Sequence, residues 1–117
     1  MNMREKGALG EDIAEKYLKK QGYKIIEKNY HASRFSEIDI IARHKNMLVF
    51  VEVKARSSLK AGYGREAVDK RKQDNIRYGA QHYMCCRLKK EETCRFDVLE
   101  ITFTGDTPII QLIQNAF

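Results

Sequence analysis

The chain holds a single proline, Pro108, and no stretch of it reads as a linker, an internal repeat or a low-complexity tract. At 117 residues without such a break it is expected to be one domain, 1–117, large enough to bury a core without staples. Cysteine is equally sparse. Cys85, Cys86 and Cys94 are odd in number, two are adjacent, and none makes a CxxC pair. That spacing argues against a zinc site or a disulfide framework and for reduced thiols in a reducing compartment. No apolar run reaches the roughly 18 residues a membrane helix needs. The amino-terminal MNMREKGALGED lacks the apolar centre of a secretory signal. These absences point to a soluble, cytoplasmic protein with no membrane partner.

Charge is what the chain has in quantity. Charged residues make up 32% and apolar residues 43%, and the net charge is +6. Between Lys54 and Arg95 there are twelve Lys or Arg against five Asp or Glu, so that stretch alone carries a surplus of seven. A basic region of this kind suits a polyanion such as nucleic acid, because phosphate contacts supply most non-specific affinity. It also suits a merely solvated, lysine-rich helix.

The apolar spacing of residues 8 to 21, with Leu9, Ile13, Ala14, Tyr17 and Leu18, predicts a helix stopped by Gly22. Glu11 falls on or beside its apolar face, either as a helix-dipole partner or as a site residue. Tyr23 to Tyr30 reads as a strand, and His31 to Ser36 as a polar link. Ser57 to Gly64 reads as a loop beside the pocket described next. Arg65 to Met84 is expected to be a second, basic helix, followed by strands at Arg95–Phe103 and, more weakly, Ile109–Ile113. The order α, three β, α, one or two β fits an α/β fold with a single mixed sheet and helices packed on it.

The centre of the sequence is EIDIIARHKNMLVFVEVKAR, residues 37–56. Met47–Lys54 is apolar enough for a strand covered on both faces, yet it carries Glu52 and Lys54 on one face. If Lys45-Asn46 is a two-residue turn, His44 faces Met47, Asp39 lies opposite Glu52, and Glu37 lies opposite Lys54. By the same alternation Ile38 and Ile40 share a face. Two opposed carboxylates repel unless a cation sits between them, and hard divalent cations take oxygen ligands.

The pattern D-x₁₂-E-x-K suits phosphodiester hydrolysis. Asp39 and Glu52 are expected to hold Mg²⁺ or Mn²⁺, with the Val53 backbone carbonyl completing the set and Glu11 adding a ligand from the helix. Lys54 is expected to orient or deprotonate water and to offset charge on phosphate. Arg56, Lys70, Arg71, Lys72, Gln73 and Arg77 are the expected nucleic-acid contacts. The plainer alternative is a hairpin with surface ion pairs, Glu37–Lys54 and Glu52–Arg43.

Gly10-Glu11, EIDIIA (37–42), VFVEVKAR (49–56), Lys72-Gln73, RFDV (95–98) and the terminal NAF (115–117) together resemble the YraN family of small bacterial proteins predicted to be endonucleases. That family is similar in turn to archaeal Holliday-junction resolvases of the PD-(D/E)xK nuclease superfamily. The resemblance covers nearly the whole chain, with departures at His31, Ser36 and Ala55. It implies a restriction-endonuclease-like αβββαβ core, with Asp39 and Glu52 as metal ligands, Lys54 as catalytic lysine and Glu11 as the helix glutamate that assists the metal. It further implies a DNA endonuclease of repair or recombination acting on branched or single-stranded DNA, and a homodimer. The alternative is a non-catalytic nucleic-acid-binding or assembly module on the same fold.

Overall fold

The computed structural model describes residues 3–56 and 68–117. The elements run α1 (Met3–Lys20), β1 (Tyr23–Ser33), β2 (Ser36–His44), β3 (Met47–Arg56), α2 (Lys70–Tyr83), β4 (Cys94–Thr102) and β5 (Ile109–Ile113). The five strands form one sheet in the order β1-β2-β3-β4-β5. All neighbours are antiparallel except β3 and β4, which run parallel. A parallel pair needs a crossover, and α2 lies within it. The expected mixed sheet flanked by helices is therefore present. The expected Ser57–Gly64 loop and the first turn of the helix, 65–67, lie outside the described residues.

Each face of the sheet has its own helix. Ala14 and Leu18 of α1 pack with Ile40, Ala42, Val49, Val51, Leu99 and Ile101. Ala80 and Tyr83 of α2 pack with Tyr30, Ile38, Ile41, Leu48 and Phe50 on the other face. Leu48 to Glu52 are all buried, as expected of a strand covered twice. Gly10 permits the close approach of α1, since a Cβ there would stand 3.1 Å from the Ala55 Cβ. Gly79 does the same for α2: a Cβ would meet the Ser36 hydroxyl at 2.8 Å and Ile38 Cδ1 at 3.0 Å. That hydroxyl in turn donates to the Asn75 carbonyl at 2.5 Å, so β2 and α2 are joined by a hydrogen bond as well as by packing.

The polar link expected at His31–Ser36 is only a turn at Arg34-Phe35. β1 runs on to Ser33 and β2 starts at Ser36. The polar composition of His31–Ser33 hid an extension that backbone pairing dictates, since His31 pairs with Glu37 and Ser33 with Ser36. Ile38 and Ile40, expected on one face, separate to opposite cores. The change of face coincides with the left-handed Asn29 of β1, at φ 54, which lies between the Lys28↔Ile40 and Tyr30↔Ile38 pairs and breaks simple alternation there. The second helix ends in a π-helical turn, Met84–Leu88, stopped by Lys89 in the left-handed conformation.

The RFDV and NAF motifs meet in a buried polar knot. Asp97, with no exposure at all, accepts from Tyr23 Oη at 2.7 Å, from Arg95 Nε at 2.9 Å and from the Asn115 backbone N–H at 2.9 Å. Phe117 stacks on Phe96 with ring centroids 5.1 Å apart, and the Arg77 guanidinium lies over both rings. A buried carboxylate is tolerable when its lone pairs are filled in this way. These motifs fasten the tail to the sheet; they do not reach the carboxylates of β2 and β3.

Candidate functional site

The β2–β3 hairpin sets the site. Lys45 (φ 52) and Asn46 (φ 70) both take left-handed backbone, the signature of a type I′ turn. The ladder then runs from His44↔Met47 to Ile40↔Val51, the register a two-residue turn predicts. One further step would set Asp39 opposite Glu52, but the ladder ends at Ile40↔Val51. In place of a backbone carbonyl, the Val53 N–H finds the Asp39 carboxylate, donating to Oδ2 at 2.8 Å. A residue's N–H and C=O leave a strand on the same edge, so the Val53 carbonyl also faces the Asp39 side.

Glu52 is only 5% exposed. Two lysines close on one of its oxygens: Lys72 Nζ at 3.5 Å and Lys54 Nζ at 3.8 Å from Oε1. Burial, then repulsion from Glu52, pushes the Asp39 carboxyl up to about 7, while the Val53 N–H and Lys72 pull it back. Glu52 is also raised, by burial, against the pull of Lys72 and Lys54. Two carboxylates forced together out of water bind a proton more readily than ordinary ones. A divalent cation answers the same need, and two carboxylates with a backbone carbonyl are a hard-oxygen set suited to Mg²⁺ or Mn²⁺.

Asp39, Glu52 and Lys54 are thus brought together. Glu11 stays with a different group: the Asn29 amide, turned so that its nitrogen faces the acids, donates to Glu11 Oε1 at 3.1 Å and Glu37 Oε1 at 3.3 Å. Among the described residues no three His, Cys, Asp or Glu side chains are placed to share one metal ion. The ion pairs of the plainer alternative do not form either. Glu37 pairs with His31 at 3.7 Å, and Arg43 makes a two-pronged pair with Glu92 at 2.7 and 3.0 Å.

The expected nucleic-acid contacts divide. Arg56 is turned inward, its side chain 9% exposed and bonded to the buried Glu100 at 2.8 Å. Gln73 caps the Val68 carbonyl, and Arg77 lies on Phe96 and Phe117. Lys70 is exposed and paired with Asp74, and Arg71 is exposed. Lys72, expected on a phosphate, is in the carboxylate site. Nothing in the sequence shows that contact, because it depends on how α2 is set down across β2.

The chain is similar to curated proteins of matching length throughout. A UPF0102 protein of Acetivibrio thermocellus is 49% identical over 99% of this chain and 93% of its own length. Those of Caldicellulosiruptor saccharolyticus and Clostridioides difficile are each 42% identical over the whole of both chains. Residues 10–101, which hold both carboxylates, both lysines and α2 in full, match Uncharacterised protein family UPF0102, the YraN family, and the chain belongs to it.

Proposed function

We propose that this chain is a metal-dependent endonuclease that hydrolyses DNA phosphodiester bonds, with a restriction-endonuclease-like core, acting in repair or recombination on branched or single-stranded DNA. The observation that carries the reading is the pairing of half-buried Asp39 with buried Glu52, with Lys54 two residues along the same strand as Glu52. Bound Mg²⁺ or Mn²⁺ supplies Lewis acidity toward phosphate and makes water a nucleophile at neutral pH. Asp39 and Glu52 would hold the ion, helped by the Val53 carbonyl. The Val53 N–H fixes the Asp39 carboxylate in place. Lys54 orients the attacking water and offsets charge that develops on the phosphate. Exposed Lys70 and Arg71 take the DNA backbone by charge, without reading bases.

The test is incubation of the purified chain with linear, single-stranded, flap and four-way DNA, with and without Mg²⁺ or Mn²⁺. The reading expects metal-dependent cutting that Asp39→Asn abolishes. Failure to cut any of these with either ion would sink it. Cutting both strands of a junction needs two sites, so the active form is expected to be a two-fold homodimer. Sedimentation of a cutting-competent sample as a monomer would remove that part alone.

One observation favours the second reading, a non-catalytic nucleic-acid-binding module. Asp39 and Glu52 with Lys54 and Lys72 already balance to zero formal charge, as a structural cluster would. DNA binding without cleavage in the same assay is its expected outcome.

A further inference from the structure

Among the described residues, Lys72 is the member of the site that comes from a helix. Its backbone has little freedom. Its N–H donates to the Asp69 cap at 2.8 Å, Gln73 bonds back to the Val68 carbonyl, and Ser36 holds α2 at Asn75. Its side chain is different: 41% exposed, with the ammonium between Glu52 and open water. Lys54, on the strand itself, shares the same Glu52 oxygen and is less exposed, at 30%. The two lysines are therefore unequal. Lys54 is built into the site, whereas Lys72 reaches it on a long flexible stem.

We propose that Lys72 is a displaceable counter-ion: it neutralises Glu52 until a divalent cation takes the carboxylate pair, and its freed ammonium then takes a phosphate of the bound nucleic acid. The proposal rests on the metal-site reading above. The charge count supports it. Two carboxylates and two lysines sum to zero, so a divalent cation alone would leave the site at +2. Swinging Lys72 outward lowers that excess and puts a positive charge at the mouth, where an anionic backbone removes the rest. Cation and nucleic acid then favour each other's binding, and the coupling is reciprocal by thermodynamic necessity.

The experiment uses Lys72→Met, which keeps an apolar stem and removes the charge, with Lys24→Met, at an exposed position of β1, as a control for losing a lysine away from the pair. Mn²⁺ affinity is measured by calorimetry without DNA, and Tm is measured with and without the ion. Duplex and four-way DNA affinity is measured with and without Ca²⁺. Lys72→Met should bind Mn²⁺ about 3- to 10-fold more tightly than the parent, since a competing charge has gone. It should gain more Tm from the ion, and its DNA affinity should respond less to Ca²⁺. Lys24→Met should change none of these. Mn²⁺ affinity that is lost in Asp39→Asn but unchanged or weaker in Lys72→Met overturns the counter-ion role and leaves the metal site standing. A parent that binds no Mn²⁺ overturns both. A Lys72→Met protein with reduced Tm that the ion restores still reports through the calorimetric titration, so loss of stability does not hide the answer.

Discussion

Asp39→Asn and Glu52→Gln keep side-chain size and remove one charge each, so both should lower metal affinity and abolish cleavage. Lys54→Ala removes no oxygen ligand. It should abolish cleavage with metal affinity intact or slightly higher, and all three variants should still bind DNA. Metal calorimetry beside a cleavage assay separates these outcomes. The same pair predicts a pH dependence. The Asp39 carboxyl is raised in the folded chain from 3.8 to about 7, and Glu52 is raised too. At these two groups the folded state therefore holds more protons than the unfolded one between those values, and their contribution to stability falls as pH climbs from about 4 to about 7. Without added cation, the parent should lose Tm over that window. Asp39→Asn should flatten the slope and exceed the parent at pH 8 by more than about 4 °C, a difference of at least ~1 kcal/mol. A parent whose Tm is level from pH 5 to 8 in chelator would show that neither burial nor the charge of Glu52 raises the Asp39 carboxyl.

At the scale of elements, the seating of α2 on β2 decides where Lys72 falls. Gly79→Ala forces a Cβ against the Ser36 hydroxyl and Ile38, where neither neighbour is the end of a long flexible chain. The expected cost is about 1–3 kcal/mol in urea unfolding. A larger alanine effect on metal affinity than on the Asp97 knot would show the displacement reaching the site. Much of the element pattern was legible in the sequence. The hairpin register followed from one assumption, a two-residue turn at Lys45-Asn46, because alternation carries a register outward without loss. The doubly buried β3 followed from its unbroken apolar run. What escaped was non-local or irregular. The left-handed Asn29 has no marker that distinguishes it from any strand asparagine, so simple alternation puts Ile38 and Ile40 on one face. Arg56 looked like a phosphate ligand because its partner, Glu100, lies on a strand that is distant in sequence. The Lys72–Glu52 contact was hidden for the same reason.

For the whole molecule, the formal charge of +6 overstates the surface available to a polyanion. Arg56, Arg77 and Arg95 are spent on Glu100, on two aromatic rings and on Asp97. Nucleic-acid binding should still weaken linearly in log K against log salt, at about −0.7 to −0.9 per phosphate neutralised. Arg71→Ala should reduce that slope by about one such step, equally for unrelated sequences. Arg77→Ala should act on stability and leave the slope alone. A slope unchanged in Arg71→Ala would remove the start of α2 from the binding surface.

The type I′ turn at Lys45-Asn46 also governs the order of events in time. It joins β2 to β3 through contacts close in sequence, whereas β3 can pair with β4 only after the chain has closed a loop through α2. Short-range closure is fast and long-range closure slow. The hairpin should therefore be formed in the folding transition state, with Asp39 and Glu52 already face to face before any helix supplies a lysine. Asn46→Ala strains a left-handed position by about 1–2 kcal/mol, and in stopped-flow kinetics it should slow folding and barely touch unfolding. Gly79→Ala, which loosens a contact made late, should do the reverse. During that interval the two carboxylates stand together with Lys54 beside them but without Lys72, so millimolar Mg²⁺ should speed the folding of the parent and leave the rate of Asp39→Asn unchanged.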